Sequence, residues 1–176
     1  MEDRGGVTVR RGARSGKITT LHIGRAGELL VQYRLLCRGI DSAPMSTDAG
    51  VDLVAYVPRR ARAITIQVKT NWQAKPGGGR GKAALDWWIA EDTPALLIAL
   101  VDLSSERIWL LTREELSELA QQKSSGRWHL YMYTDPEAKP RSKDRAVLAR
   151  EFQRFELAAR VEALLEGLWP AGEGIR

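Results

Sequence analysis

Apolar and polar positions along this chain change period in an ordered way. From about Ile18 to Arg38 the spacing is helical. Leu29, Tyr33, Leu36 and Cys37 form a stripe at i, i+4, i+7 and i+8, and Gly39 provides the stop. A second side of this segment carries Glu28, Val31 and Leu35, and a helix apolar on two sides is expected to be mostly buried, Glu28 with it. After a turn-rich stretch from Asp41 to Gly50, with room for a short first strand, the period drops to two. Val51, Leu53, Ala55 and Val57 share one face, and Asp52 shares the other with Val54 and Tyr56. A hairpin-length connection from Pro58 to Arg62 leads into Ala63–Thr70, where Ile64, Ile66 and Val68 lie on one face and Gln67 and Lys69 on the other. Residues 71–82 read as a loop, and Leu85 to Ala90 as a short helix. Ala95 to Asp102 reads as a buried central strand with Arg107 to Leu111 as its partner. Thr112 with Glu115 makes a capping box for a helix reaching about Gln122, and Tyr131 to Tyr133 fits another short strand. A long amphipathic helix is expected from about Arg145 to Leu168, ended by Pro170.

Four sections follow: a basic arm (1–17), one α/β domain (18–134), a polar linker (135–144) and the C-terminal helix (145–169). The chain has 176 residues, 44% hydrophobic and 28% charged, which suits one globular domain and excludes wholesale disorder. A single cysteine, Cys37, excludes an internal disulfide; it reads as a packing residue in a reducing interior. The polar, arginine-rich start is unlike a secretory leader, and no stretch has the apolar length of a membrane span, so a cytoplasmic protein without membrane contact is expected. A net charge of +5 and a pI near 9.6 favour an anionic partner. The cations are placed unevenly. Arg10, Arg11, Arg14 and Lys17 crowd the arm and Arg25 opens the first helix. Pro58 to Lys82 holds Arg59, Arg60, Arg62, Lys69, Lys75, Arg80 and Lys82 with no acid at all. Because that run brackets Gln67 and Lys69, phosphate contact is the better reading than a merely solvated face.

An acid on a helix, an acid on a strand and a Gln-x-Lys pair on the next strand can meet around one divalent cation. Mg2+ or Mn2+ prefers oxygen ligands and neutralises phosphate charge. Asp52 is the candidate central ligand, with the Gln67 amide oxygen and the Val68 carbonyl beside it. Glu28 would bind directly or through water. Lys69 would orient the attacking water or support developing negative charge. These pieces, Gly24-Arg25-Ala26-Gly27-Glu28, Gly50-Val51-Asp52-Leu53-Val54 and Ile66-Gln67-Val68-Lys69-Thr70, resemble the PD-(D/E)XK nuclease superfamily, and within it archaeal-type Holliday-junction resolvases and related bacterial endonuclease-like proteins. The likeness covers roughly residues 20–110. It implies a restriction-endonuclease-like α-β-β-β-α-β core, a central mixed sheet flanked by helices, extended here by the C-terminal helix. It also implies Asp52, Gln67 and Lys69 as the catalytic triplet with Glu28 as the helix-borne acid. Two positions depart from the pattern: Gln67 stands where an acid is commoner, removing one negative charge from the site, and Val51 stands where proline is frequent.

The expectation is therefore a Mg2+- or Mn2+-dependent deoxyribonuclease acting on DNA of branched or otherwise structured form, with no small-molecule cofactor. Since two strands need two sites, it is expected to be a homodimer, the C-terminal helix offering a contact surface. One rival is a catalytically weak or inactive nucleic-acid-binding protein of the same fold, acting in a defence or mobile-element system; another is a subunit that acts by interaction alone. The loop at Pro76–Lys82 fails as a Walker loop, since Pro76 stands where glycine is needed and Ala83 where Ser or Thr is needed. His22 and His129 lack a metal-ligand partner at useful spacing. Trp87 and Trp88 read together as packing residues rather than base-stacking ones.

Overall fold

The structure, a computed structural model, describes residues 17–47, 49–57, 62–77, 81–139 and 145–166. Arg10, Arg11, Arg14, Arg59, Arg60 and Arg80 lie outside the described residues, and so does the side chain of Arg62. Helix α1 (Thr20–Leu36) starts at Thr19, whose hydroxyl accepts from the His22 N–H while the His22 ring accepts from the Thr19 N–H. Cys37 closes the helix and Gly39 takes a φ of +72°, the left-handed turn that ends it.

Five strands then form a mixed sheet in the order β1-β2-β3-β6-β7: β1 (Asp41–Pro44), β2 (Leu53–Val57), β3 (Arg62–Asn71), β6 (Leu97–Asp102) and β7 (Arg107–Thr112). All pairs are antiparallel except β3 with β6. A parallel pair needs a crossover. Here it runs through β4 (Lys75–Gly77) and β5 (Lys82–Ala90), where the resemblance implies a helix. Strands β4 and β5 join β8 (Gln122–Ser124) and β9 (Arg127–Tyr133) in a second, antiparallel sheet ordered β4-β5-β9-β8. The expected helix over Leu85–Ala90 is thus a strand. Its alternation buries Leu85, Trp87 and Ile89 and exposes Asp86 and Trp88.

Period two in the central strands builds two cores, one on each side of the first sheet. Ile66, Val68, Leu97, Ala99, Val101, Ile108 and Leu110 face the helices, meeting Val31 and Leu35 of α1. Ile98, Leu100, Trp109 and Leu111 face the second sheet, meeting Leu85, Trp87, Ile89, Leu130 and Met132. Covered on both faces, β6 is apolar along almost its whole length. Thr112 and Glu115 cap α2 (Arg113–Leu119) reciprocally, as expected. The C-terminal region is not one helix. Leu148 bridges to Tyr133, Ala149–Phe155 is a 3₁₀ turn, and α3 (Leu157–Glu166) follows. Ala149, Phe152 and Phe155 recur every third residue, which puts all three on one side of a 3₁₀ helix and into the second core. Leu157 and Val161 of α3 are buried in the first core, so that apolar face is already taken within the chain. No helix among the described residues is long and apolar enough to cross a membrane.

Helix α1 also differs from expectation. Its buried side is Gly27–Val31–Leu35, whereas Leu29, Tyr33, Leu36 and Cys37 are exposed. Both stripes are apolar; the choice turns on close approach. Gly27 rests on Thr70 of β3 so tightly that a Cβ there would lie 2.0 Å from the Thr70 hydroxyl oxygen. Cys37 is consequently a surface thiol.

On β9, burial raises the Tyr131 phenol above the ordinary tyrosine value of 10.0, and the charge of Tyr133 adds to the effect. The folded chain then holds this proton more tightly than the unfolded one. Its contribution to stability is intact below pH 10 and is lost as pH climbs through the raised value. Tyr131→Phe is expected to flatten the alkaline limb of a pH–stability curve measured by urea unfolding. An unchanged limb would rule Tyr131 out as its source.

Candidate active site

Strand β2 begins one residue after Asp52, and its register with β3 pairs Leu53 with Ile66. Carried back one position, this sets Asp52 beside Gln67 with both side chains on one face. The Asp52 N–H donates to the Ile66 carbonyl at 3.0 Å, and the Asp52 carbonyl accepts from the Met45 N–H at 2.9 Å. One step further along β3 the ladder is replaced by a side chain: the Val68 N–H donates to Asp52 Oδ2 at 2.6 Å. A short charge-assisted bond of this kind pins the carboxylate to the strand edge. Because the N–H and C=O of a strand residue point to the same edge, the Val68 carbonyl is directed there too.

Gln67 is 6% exposed, and among the described residues its buried Oε1 has no hydrogen-bond partner. Leaving a buried acceptor unpaired costs about 1–3 kcal/mol. Above it passes Gly50, with φ at +80°. A Cβ there would meet Pro94 Cδ at 2.9 Å and stand 3.8 Å from Gln67 Nε2, so the turn leading into Asp52 has room for glycine alone. Buried Thr93 steadies the turn by donating its hydroxyl to the Gly50 carbonyl at 3.4 Å. Thr93 and Pro94 gave no signal in the sequence, whereas Gly50 stood inside one of its three motifs.

Lys69 follows Gln67 on the same face and is half-buried. Among the described residues its ammonium enters no ion pair. The structure therefore brings Asp52, Gln67, the Val68 backbone and Lys69 to one edge. Glu28 is placed differently. Helix α1 packs on the face of β3 that carries Val68 and Thr70, opposite Gln67 and Lys69. The Glu28 carboxylate pairs with Arg25 at 2.6 Å. Among the phosphate-contact candidates, Lys17 and Lys75 are exposed and Arg25 is engaged by Glu28. Lys82 bonds the Lys139 carbonyl and lies over the Tyr133 ring.

Among the described residues no three of His, Cys, Asp and Glu gather closely enough to hold a metal ion. The donors at this edge are instead one carboxylate, one orphaned amide oxygen and one backbone carbonyl, all hard oxygens. They fit Mg2+ or Mn2+ better than a softer metal.

No family model and no curated protein matches the chain. Among solved structures, the bacterial homing endonuclease I-Ssp6803I is similar with a TM-score of 0.54 at 15% identity, over 85% of this chain and 93% of that one. MepB is similar over 72% of this chain and 89% of its own, at 12% identity and a TM-score of 0.34, a score too low to argue from. The likeness to the homing endonuclease is one of fold: a mixed sheet flanked by helices.

Proposed function

We propose that the protein is an endonuclease of PD-(D/E)XK type that hydrolyses DNA phosphodiester bonds with Mg2+ or Mn2+, and that its substrate is branched or otherwise structured DNA of the kind Holliday-junction resolvases take. The observation carrying this reading is the buried Gln67 Oε1, without a hydrogen-bond partner among the described residues, beside an Asp52 carboxylate held by the Val68 N–H. Asp52, Gln67 and the Val68 carbonyl would hold the ion, which supplies charge neutralisation at the scissile phosphate. Lys69 orients the attacking water and stabilises negative charge as it develops on the phosphate. Glu28, on the α1 side and held by Arg25, assists through water. Lys17 and Lys75, both exposed, contact phosphates of the bound DNA away from the cut. Cutting both strands uses two copies of the chain, and the setting is the cytoplasm.

The test is incubation of plasmid and four-way-junction DNA with the protein, with and without Mn2+, beside Asp52→Asn. Cleavage that needs both the metal and Asp52 is expected. Salt-sensitive binding with no cleavage under any condition would favour the inactive nucleic-acid-binding protein instead. Gln67→Glu adds a second carboxylate, and it is expected to tighten Mn2+ binding by about tenfold in a calorimetric titration. No change in affinity would remove Gln67 from the ligand set.

A further inference from the structure

Trp87 and Trp88 are adjacent in the chain and opposite in fate. Trp87 is 3% exposed in the second core, Trp88 42% exposed on the outer face of β5. The register of β5 with β9 sets Trp88 beside His129. Their rings stack with centroids 4.1 Å apart and planes 4° from parallel. One ring nitrogen is within hydrogen-bond reach of a neighbour, Nδ1 at 3.3 Å from Gln122 Oε1, and Nε2 lies 3.4 Å from Asp86 Oδ2 without a hydrogen bond among the described residues. One face of the indole is therefore covered by the His129 ring, and its exposure comes from the other face and the edges.

The surroundings narrow what that open face receives. Tyr131 and Tyr133 continue the row along β9, with centroid spacings of 5.7 and 5.5 Å, but they pack against Ala138, Val147 and Leu148, which leaves Trp88 as the open end. The register puts Lys75, paired with Ala84, and Arg127, paired with Ala90, on the same outward side, and both are exposed. The outward positions of β5 and β9 are otherwise Lys82, Asp86, alanines and aromatics, with no Leu, Ile, Val or Met. A flat ring pile among cations is suited to a nucleobase and its phosphates.

We propose that the Trp88–His129 pile is a stacking platform for an unpaired nucleobase, with Lys75 and Arg127 contacting the adjoining phosphates. The choice of nucleic acid rests on the nuclease reading, which the platform deepens by giving the enzyme a handle on single-stranded segments. The test uses the full chain in EDTA, which blocks cleavage, with anisotropy of a labelled oligothymidylate, a base-free strand of the same length and a duplex. The parent is expected to bind oligothymidylate about tenfold more tightly than the base-free strand. Trp88→Leu should lose that advantage, Trp88→Phe should keep most of it, and duplex affinity should stay near the parent's in both. Equal affinity of the parent for strands with and without bases would overturn the proposal, as would Trp88→Leu binding like the parent. The first comparison needs no variant to fold. A chain that prefers bases yet never cuts DNA would keep the platform and lose the nuclease.

Discussion

Replacing Lys69 with alanine is expected to lower Mn2+-dependent DNA cleavage by about 10²–10³-fold while leaving the unfolding midpoint close to the parent's. Lys69 is half-buried, and among the described residues no ion pair engages it, so its removal strands no buried charge. What it takes away is a cation on the Gln67 face of β3, beside the edge at which the Val68 N–H fixes Asp52. The loss should therefore fall on kcat, with DNA affinity little altered, because binding is shared among many phosphate contacts. Lys69→Arg keeps the charge but moves it and spreads it, so only partial recovery is expected. Cleavage by Lys69→Ala at the parent rate would remove Lys69 from the mechanism.

The largest effect on stability is expected at Gly27, and the control lies one turn away. Alanine at position 27 would put a Cβ 2.0 Å from Thr70 Oγ1 and 2.8 Å from its Cγ2, and the Thr70 Cβ at 2.9 Å leaves no easy way to yield. The helix must back off β3, loosening Val31 and Leu35 from the first core. Overpacking of this kind costs about 1–3 kcal/mol. The gain in helix propensity from glycine to alanine, up to about 1 kcal/mol, offsets only part of it. At Gly24 an added Cβ meets nothing within 4 Å, so there propensity acts alone and the change should stabilise. Urea unfolding of Gly27→Ala and Gly24→Ala is thus expected to give shifts of opposite sign. Shifts of the same sign would contradict the close approach of α1 to β3. Thr70→Ala in the Gly27→Ala background removes the two nearer clashes and should recover part of the loss.

The strands that carry the candidate site were legible because a period of two depends only on neighbours. The parity of Asp52 against Leu53, and of Gln67 and Lys69 against Ile66 and Val68, reappears in the register of β2 with β3 and in the split between the two cores. The capping box at Thr112 is equally local. The side of α1 that turns inward was not legible, since both stripes are apolar and the deciding contact joins Gly27 to Thr70, 43 residues apart in sequence. β5 carried the right signal in Leu85, Trp87 and Ile89, but two adjacent tryptophans blurred the alternation. Phe152 and Phe155 also fit an α-helix three residues apart, so the 3₁₀ turn emerged only with the second core in place. The unpaired oxygen of Gln67 could not have been foreseen, because it depends on what Gly50 and Pro94 leave no room for.

The proposed cleavage chemistry requires a cation seated between Asp52 and Gln67. Anomalous scattering from crystals of the protein soaked in Mn2+ addresses this directly. The expected result is one strong peak per chain, in ligand contact with the Asp52 carboxylate and Gln67 Oε1, and lost in Asp52→Asn crystals soaked alike. A Gln67 side chain pointing away with no peak beside Asp52, at Mn2+ concentrations that support cleavage, would contradict it.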